Sequence, residues 1–315
     1  YRSSKENKMN KNALMFNLHV EDKNSMHYYS MLYYALETLE KFYDETFDVI
    51  VHYKTKNFEF EKEFHLGVYN IYRQFLFPIY IESTYPDQDG WMAKWYALQK
   101  TFELGYEKVF MIDNDIIFYG NPSYMFEKYG NKNVAHVGAD GGYGKILERV
   151  GIASGNEIIH RKAIHSLDTL FERALEHRKK LIQKSEDLMT NGQISETIHK
   201  NFKFFSEQYA GNFALQDPYD PNNIPEEKEF VSIEPEDLVT PANCNLEIGG
   251  RDNPYYCVNI IDNKIQITDV KTTIIHYSAA HASVMLPNRL FTDHLLNGYN
   301  EWVTKIPNII KELKK

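Results

Sequence analysis

The sequence predicts an α/β fold: a Rossmann-like, mostly parallel central sheet flanked by helices, with a loop-rich region following it. Two observations carry this. From residue 13 to 137 short apolar runs alternate with amphipathic stretches, the pattern of successive βαβ units. A chain of 315 residues, 43% of them hydrophobic, is long enough to bury one large core.

The elements follow in order. Strands are predicted over 13–20 (ALMFNLHV), 47–53 (FDVIVHY), 77–82 and 108–113 (KVFMID), with helices over 26–41 and 90–104. The stretch 161–182 places Ile164, Leu167, Leu170, Phe171, Ala174 and Leu175 at helical spacing and predicts one long amphipathic helix. Its basic end, His177 to Lys180, reads as a solvated last turn that suits the helix dipole. Residues 217–256 gather prolines and acids and predict loops. A strand pair near 265–276 and a helix near 286–303 close the chain.

Composition removes several classes of function. A net charge of −9 with no basic stripe argues against duplex nucleic acid, which needs clustered Lys and Arg. No apolar run approaches the roughly 20 residues of a membrane span, and the opening YRSSKENKMNKN has no apolar stretch of a signal peptide. Cys244 and Cys257 are too few for a disulfide framework, although one bridge between them is open in an oxidising compartment. The sole Asn-x-Ser sequence, Asn121-Pro122-Ser123, carries the proline that forbids glycosylation. Both features fit a reducing interior. The expectation is a cytoplasmic protein, or, since the chain starts at Tyr1, a soluble domain of a larger or anchored one.

The chemistry concentrates in KVFMIDNDIIFYGNPS, residues 108–123. An apolar run ends in Asp113-Asn114-Asp115 before a second run begins, so the acids sit where a buried parallel strand opens into the ligand crevice of such sheets. Two carboxylates spaced i, i+2 in extended chain share a side, and their mutual repulsion is naturally offset by a divalent cation. Asp-Asn-Asp is also good turn chemistry, but apolar flanks on both sides weigh against a solvated turn. In TTIIHYSAAHA a similar run delivers His276 to a strand end, where an imidazole can complete an oxygen-rich site for Mn²⁺. A lone histidine there is more often a satisfied polar residue, and its weight comes from the acids.

These residues resemble retaining glycosyltransferases of the GT-A fold, particularly glycosyltransferase family 8. The likeness runs from about residue 13 to 282 and rests on Lys94 in GWMAKWYALQ, the Asp-x-Asp at 113–115 and the His-Tyr-Ser at 276–278. It implies a catalytic domain over 13–282, with a nucleotide-binding half at 13–120 and an acceptor-side half at 121–282. Residues 1–12 would be an extension and 283–315 a helical segment packed on the same domain. It also implies Mn²⁺ or Mg²⁺ held by Asp113, Asp115 and His276, and a UDP-sugar donor. The donor would meet the backbone of His19 and Val20, Asn114, Lys94, Ser154 and His281. Asp140 would contact sugar hydroxyls, and Gln193 would stand near the anomeric carbon.

The sequence departs from the family at several points. Ala153 stands where an Asn is expected, with Asn156 near enough to substitute; Gly192 replaces an Asp; and Ala280-His281-Ala282 replaces a Lys-Pro-Trp. The implied activity is transfer of a hexose, from UDP-glucose or UDP-galactose by family default, to a glycan, protein or lipid acceptor with retention. Two rivals remain at this level. A haloacid-dehalogenase-type phosphatase would use Asp113 as a nucleophile, but Ile117 stands where that family wants Thr or Val. A catalytically inactive sugar-binding GT-A protein would explain the departures at Ala153, Gly192 and Ala282. A sugar nucleotidyltransferase lacks its glycine-rich loop here.

Overall fold

The computed structural model describes residues 10–20, 27–55, 75, 77–83, 92–137, 143–147, 155–216, 230–240, 254–261 and 264–276. A seven-stranded sheet organises them. Its first four strands are β1 (Asn12–Val20), β2 (Asp48–Thr55), β3 (Pro78–Glu82) and β4 (Lys108–Ile112). These run parallel in the order β3-β2-β1-β4, with Ala13 opposite Asp48 and Asn12 opposite Lys108. The sheet continues through β7 (Glu157–His160), β6 (Val134–His136) and β8 (Phe230–Ser232); β7 is antiparallel to both β4 and β6, and β8 is parallel to β6. The expected mostly parallel sheet flanked by helices is therefore present.

Alternation along the central strands divides the core. Leu14, Phe16 and Leu18 of β1 and Phe110 and Ile112 of β4 pack on one side with Leu32, Leu36 and Leu39 of α1 (His27–Glu40). Ala13, Met15, Val109 and Met111 face the other side. There they meet Trp95, Leu98 and Phe102 of α2 (Ala93–Glu103). A run buried on both faces can only be a central strand, because an edge or one-sided strand would expose every second residue.

The sequence reading departs from the structure in three places. The helix expected over 161–182 is a short 3-10 turn at Arg161–Ala163 and then an α-helix over Leu170–Thr190. Ser166 hydrogen-bonds Asp168 between the two, a local bond that competes with helix formation. A second long helix, Glu196–Leu215, starts at an Ser195 cap whose hydroxyl accepts from the amide of Ile198. The expected strand pair near 265–276 is divided: β11 (Lys264–Thr268) pairs with β10 (Cys257–Ile261), whereas β12 (Ile274–His276) joins a different sheet. Cys244, the helix near 286–303 and most of 217–256 lie outside the described residues.

Two short helices, α3 (Ser123–Lys128) and α4 (Gly144–Leu147), precede the long pair α5 (Leu170–Thr190) and α6 (Glu196–Leu215). Helix α6 locks onto α2 through one close approach. A Cβ on Gly211 would lie 1.7 Å from Cε2 of Trp95, so only glycine lets the indole lie against the helix. The indole Nε1–H donates to the Glu207 carbonyl at 3.0 Å. Among the described residues no helix is long and apolar enough to cross a membrane.

His52 on β2 is a fully buried side chain with a resolved tautomer. Thr101 Oγ1 donates to the Ala97 carbonyl and so accepts from His52 Nε2–H at 2.9 Å, which leaves Nδ1 to accept from Ser83 Oγ–H at 2.8 Å. Burial pushes this imidazole down to about 4 from its ordinary 6.5. Between those values the unfolded chain binds a proton that the folded chain refuses, so stability falls as pH drops through that window. The full loss is about 3 kcal/mol. Urea unfolding between pH 6.5 and 5 is expected to show this slope, and His52→Gln is expected to flatten it. An unchanged slope in the variant would contradict the assignment.

Candidate metal centre

Three side chains meet at the mouth of the sheet. Asp113 follows the last residue of β4, and Asp115 precedes β5 (Ile116–Phe118). Strand β12 pairs antiparallel with β5, with Ile274 opposite Phe118 and His276 opposite Ile116, and parallel with β9 (Leu238–Val239). That register sets the histidine beside the acids. His276 Nε2 lies 3.1 Å from Asp115 Oδ1 and 3.6 Å from Asp113 Oδ2. One ligand atom from each of the three falls within 4.8 Å of the others.

The position of β12 is fixed from behind by Asp237. Its buried carboxylate accepts from Tyr124 Oη at 2.6 Å, from Lys128 Nζ at 2.6 Å and from the Tyr129 hydroxyl. Tyr124 also bonds Thr273 Oγ1 at 2.8 Å, and the Ile274 amide donates to the Asp237 carbonyl at 3.0 Å. A buried charge with three donors is well compensated. The strand that ends in His276 is thereby tied to α3.

The donor set fits a divalent ion. Two carboxylates and an imidazole are ligands of first-row and alkaline-earth dications, and ligand atoms around such an ion stand about 3 Å apart, close to the separations seen. Gly155 makes room for this. A Cβ there would lie 2.1 Å from Asp113 Oδ2, so any other residue would push the carboxylate out of place. Burial alone would lower the pKa of His276, but the charges of Asp115 and Asp113 and the Asp115 hydrogen bond outweigh it and hold the ring above its ordinary value. The acids thus demand a positive partner.

Around this cluster the structure places the other sequence-predicted residues unequally. Lys94, in the first turn of α2, is buried, with Nζ 4.0 Å from Glu207 Oε1. It acts electrostatically on His276, so it belongs to the neighbourhood of the centre. The Asn114 amide nitrogen donates to the Asn17 carbonyl on β1 at 2.9 Å, and its Oδ1 is buried with no hydrogen-bond partner among the described residues. His19 and Val20 end β1, in register with Lys54 and Thr55. Gln193 is not brought to the centre. It lies exposed in the turn between α5 and α6, where its carbonyl accepts from Lys145 Nζ at 3.4 Å. Glu207 lies about 16 Å of helix rise along α6 from Glu196, the first residue after that turn. Asp140, Ser154 and His281 lie outside the described residues.

Two residues near the acids were assigned no such place from the sequence. Glu207 on α6 is buried, its Oε2 has no hydrogen-bond partner among the described residues, and burial raises its pKa, opposed by Lys94 and reinforced by Asp113. Its signal was readable: it shares a helical face with Ala210 and Ala214, so a charge stands where the pattern calls for an apolar residue. Asn156, fully buried, accepts from the Asp113 amide through Oδ1 at 2.9 Å. Gly155→Ala is expected to weaken Mn²⁺ binding about 10-fold while the circular dichroism spectrum stays unchanged. Undiminished affinity would show that the Asp113 carboxylate is not held where an ion needs it.

No protein-family profile and no curated protein matches this sequence. Among solved structures, the chain is similar to mouse xyloside xylosyltransferase 1 in its apo form, at 10% identity and a TM-score of 0.44, over 84% of this chain and 96% of that one. It is similar to the galactosyltransferase LgtC in complex with donor and acceptor sugar analogs, at 9% identity and a TM-score of 0.46, over 92% and 95%. The apo bifunctional glycosyltransferase WbbM gives 11% and 0.47, over 94% of this chain and 51% of that one, so this chain spans about half of its length.

Proposed function

We propose that this chain is a metal-dependent glycosyltransferase that moves a hexose from a nucleoside-diphosphate sugar to a glycan, protein or lipid acceptor. The observation that carries the reading is the convergence of Asp113, Asp115 and His276 from two sheets at the carboxyl end of β4. That is where open α/β sheets bind ligands. When bound, Mn²⁺ or Mg²⁺ supplies Lewis-acid neutralisation of the departing diphosphate. Asp113, Asp115 and His276 would hold it.

The other residues have roles that follow from their surroundings. Lys94 presents a buried ammonium near the ligands, suited to a phosphate oxygen. Glu207 holds that ammonium on one side through Oε1. By family resemblance the donor is UDP-glucose or UDP-galactose, the acceptor enters on the leaving-group face, and configuration is retained. A leaving phosphate oxygen can then take the acceptor proton, so Asp113 and Asp115 remain ligands and no protein nucleophile is needed.

The test is release of UDP from a panel of nucleotide sugars with and without Mn²⁺. Asp115→Asn and His276→Ala are each expected to lower metal-dependent release by more than about 100-fold, with the circular dichroism spectrum of the ion-free protein unchanged. Metal-independent release, or binding of donor with no turnover of any sugar, would overturn the proposal. Full activity in His276→Ala would remove the histidine from the centre.

A further inference from the structure

We infer that the Asn114 side chain is a positioning residue for the two acids, pinning the turn that carries them to β1. The inference rests on the metal-centre reading above. The register of β1 on β4 runs from Asn12 opposite Lys108 to Phe16 opposite Ile112 and stops there, where the chain enters Asp113-Asn114-Asp115. One residue further along β1, the Asn17 carbonyl accepts from Asn114 Nδ2 at 2.9 Å. A side chain thereby extends by one bond the hold that β1 has on this part of the chain.

Chemistry fixes the orientation of this carboxamide. A carbonyl oxygen only accepts, so the atom facing Asn17 must be Nδ2, and Oδ1 is turned away. Oδ1 is buried and meets no partner among the described residues, so the bond to Asn17 is the one that holds the side chain there. Asn114 is joined through its main chain to both acids, whose charges repel one another and work to open the turn. The Asp113 amide is already bonded to Asn156 Oδ1 on the β7 side, and Asn114 supplies the corresponding hold on the β1 side. An aspartate at this position would have the same size but no donor, and its carboxylate would confront the Asn17 carbonyl oxygen.

The experiment is Mn²⁺ titration of the full chain, followed by electron paramagnetic resonance of the bound ion at saturation, for the wild type, Asn114→Ala and Asn114→Asp. The alanine variant is expected to weaken Mn²⁺ about 10-fold, as loss of an outer partner of the ligands does. The aspartate variant is expected to weaken it as well, although an added carboxylate would by itself attract the dication more strongly. In both, the resonance of the bound ion is expected to broaden, because its ligands are no longer held in one geometry. Asn114→Asp, equal in size to the native residue, carries the test alone should the alanine variant fail to fold. Wild-type affinity in either variant, or tighter binding in Asn114→Asp, would overturn the inference, and so would weaker binding with an unchanged resonance, which marks a packing role. If the wild-type chain binds no Mn²⁺, the metal-centre reading fails and this inference falls with it; if the wild type binds and the variants bind equally, only this inference falls.

Discussion

The antiparallel pairing of β5 with β12 is the constraint on which the site depends. It sets His276 opposite Ile116, next to Asp115, and a slip of one residue would turn the imidazole to the other face of its strand. The pairing is short, three residues on each strand, and so is held from outside by Asp237, which binds α3 and the turn before β12 together. The large sheet fixes Asp113 by a different route, through the buried core that surrounds β4 on both faces. Two independently anchored strand ends therefore meet at one point.

Charge follows the same economy. Glu207 and Lys94 face one another at 4.0 Å, while Asp113 and Asp115 face the His276 ring. His276 Nε2 faces Asp115 Oδ1 at 3.1 Å. Two like charges so close favour a dication. The same electrostatic preference is what a departing diphosphate would draw on.

Much of this was legible in the sequence. Short apolar runs alternating with amphipathic stretches marked β1, β2 and β4 as strands of a mostly parallel sheet, and the acids at 113–115 marked the end of β4. The weight placed on His276 came from its pairing with the acids, and the register of β12 on β5 is its physical basis. What could not be read was long-range. Residues 264–276 look like two neighbouring strands because each is apolar, yet hydrophobicity does not say which sheet a strand joins. Gln193 was chosen by a resemblance in local sequence, whereas the long α6 helix carries Glu207 to the site and leaves Gln193 at the far turn. Asn156 was noticed as a substitute for a missing substrate contact; its bonds to Asp113 and His276 depend on a neighbour 120 positions away.

The most direct measurement of the central claim is a crystal grown with Mn²⁺ and a nucleoside diphosphate, with the ion located by its anomalous scattering. The account predicts one peak within coordination distance of Asp113, Asp115 and His276, with the diphosphate on its open side. A peak elsewhere, or a His276 ring turned away from an ion held by the acids alone, would contradict it.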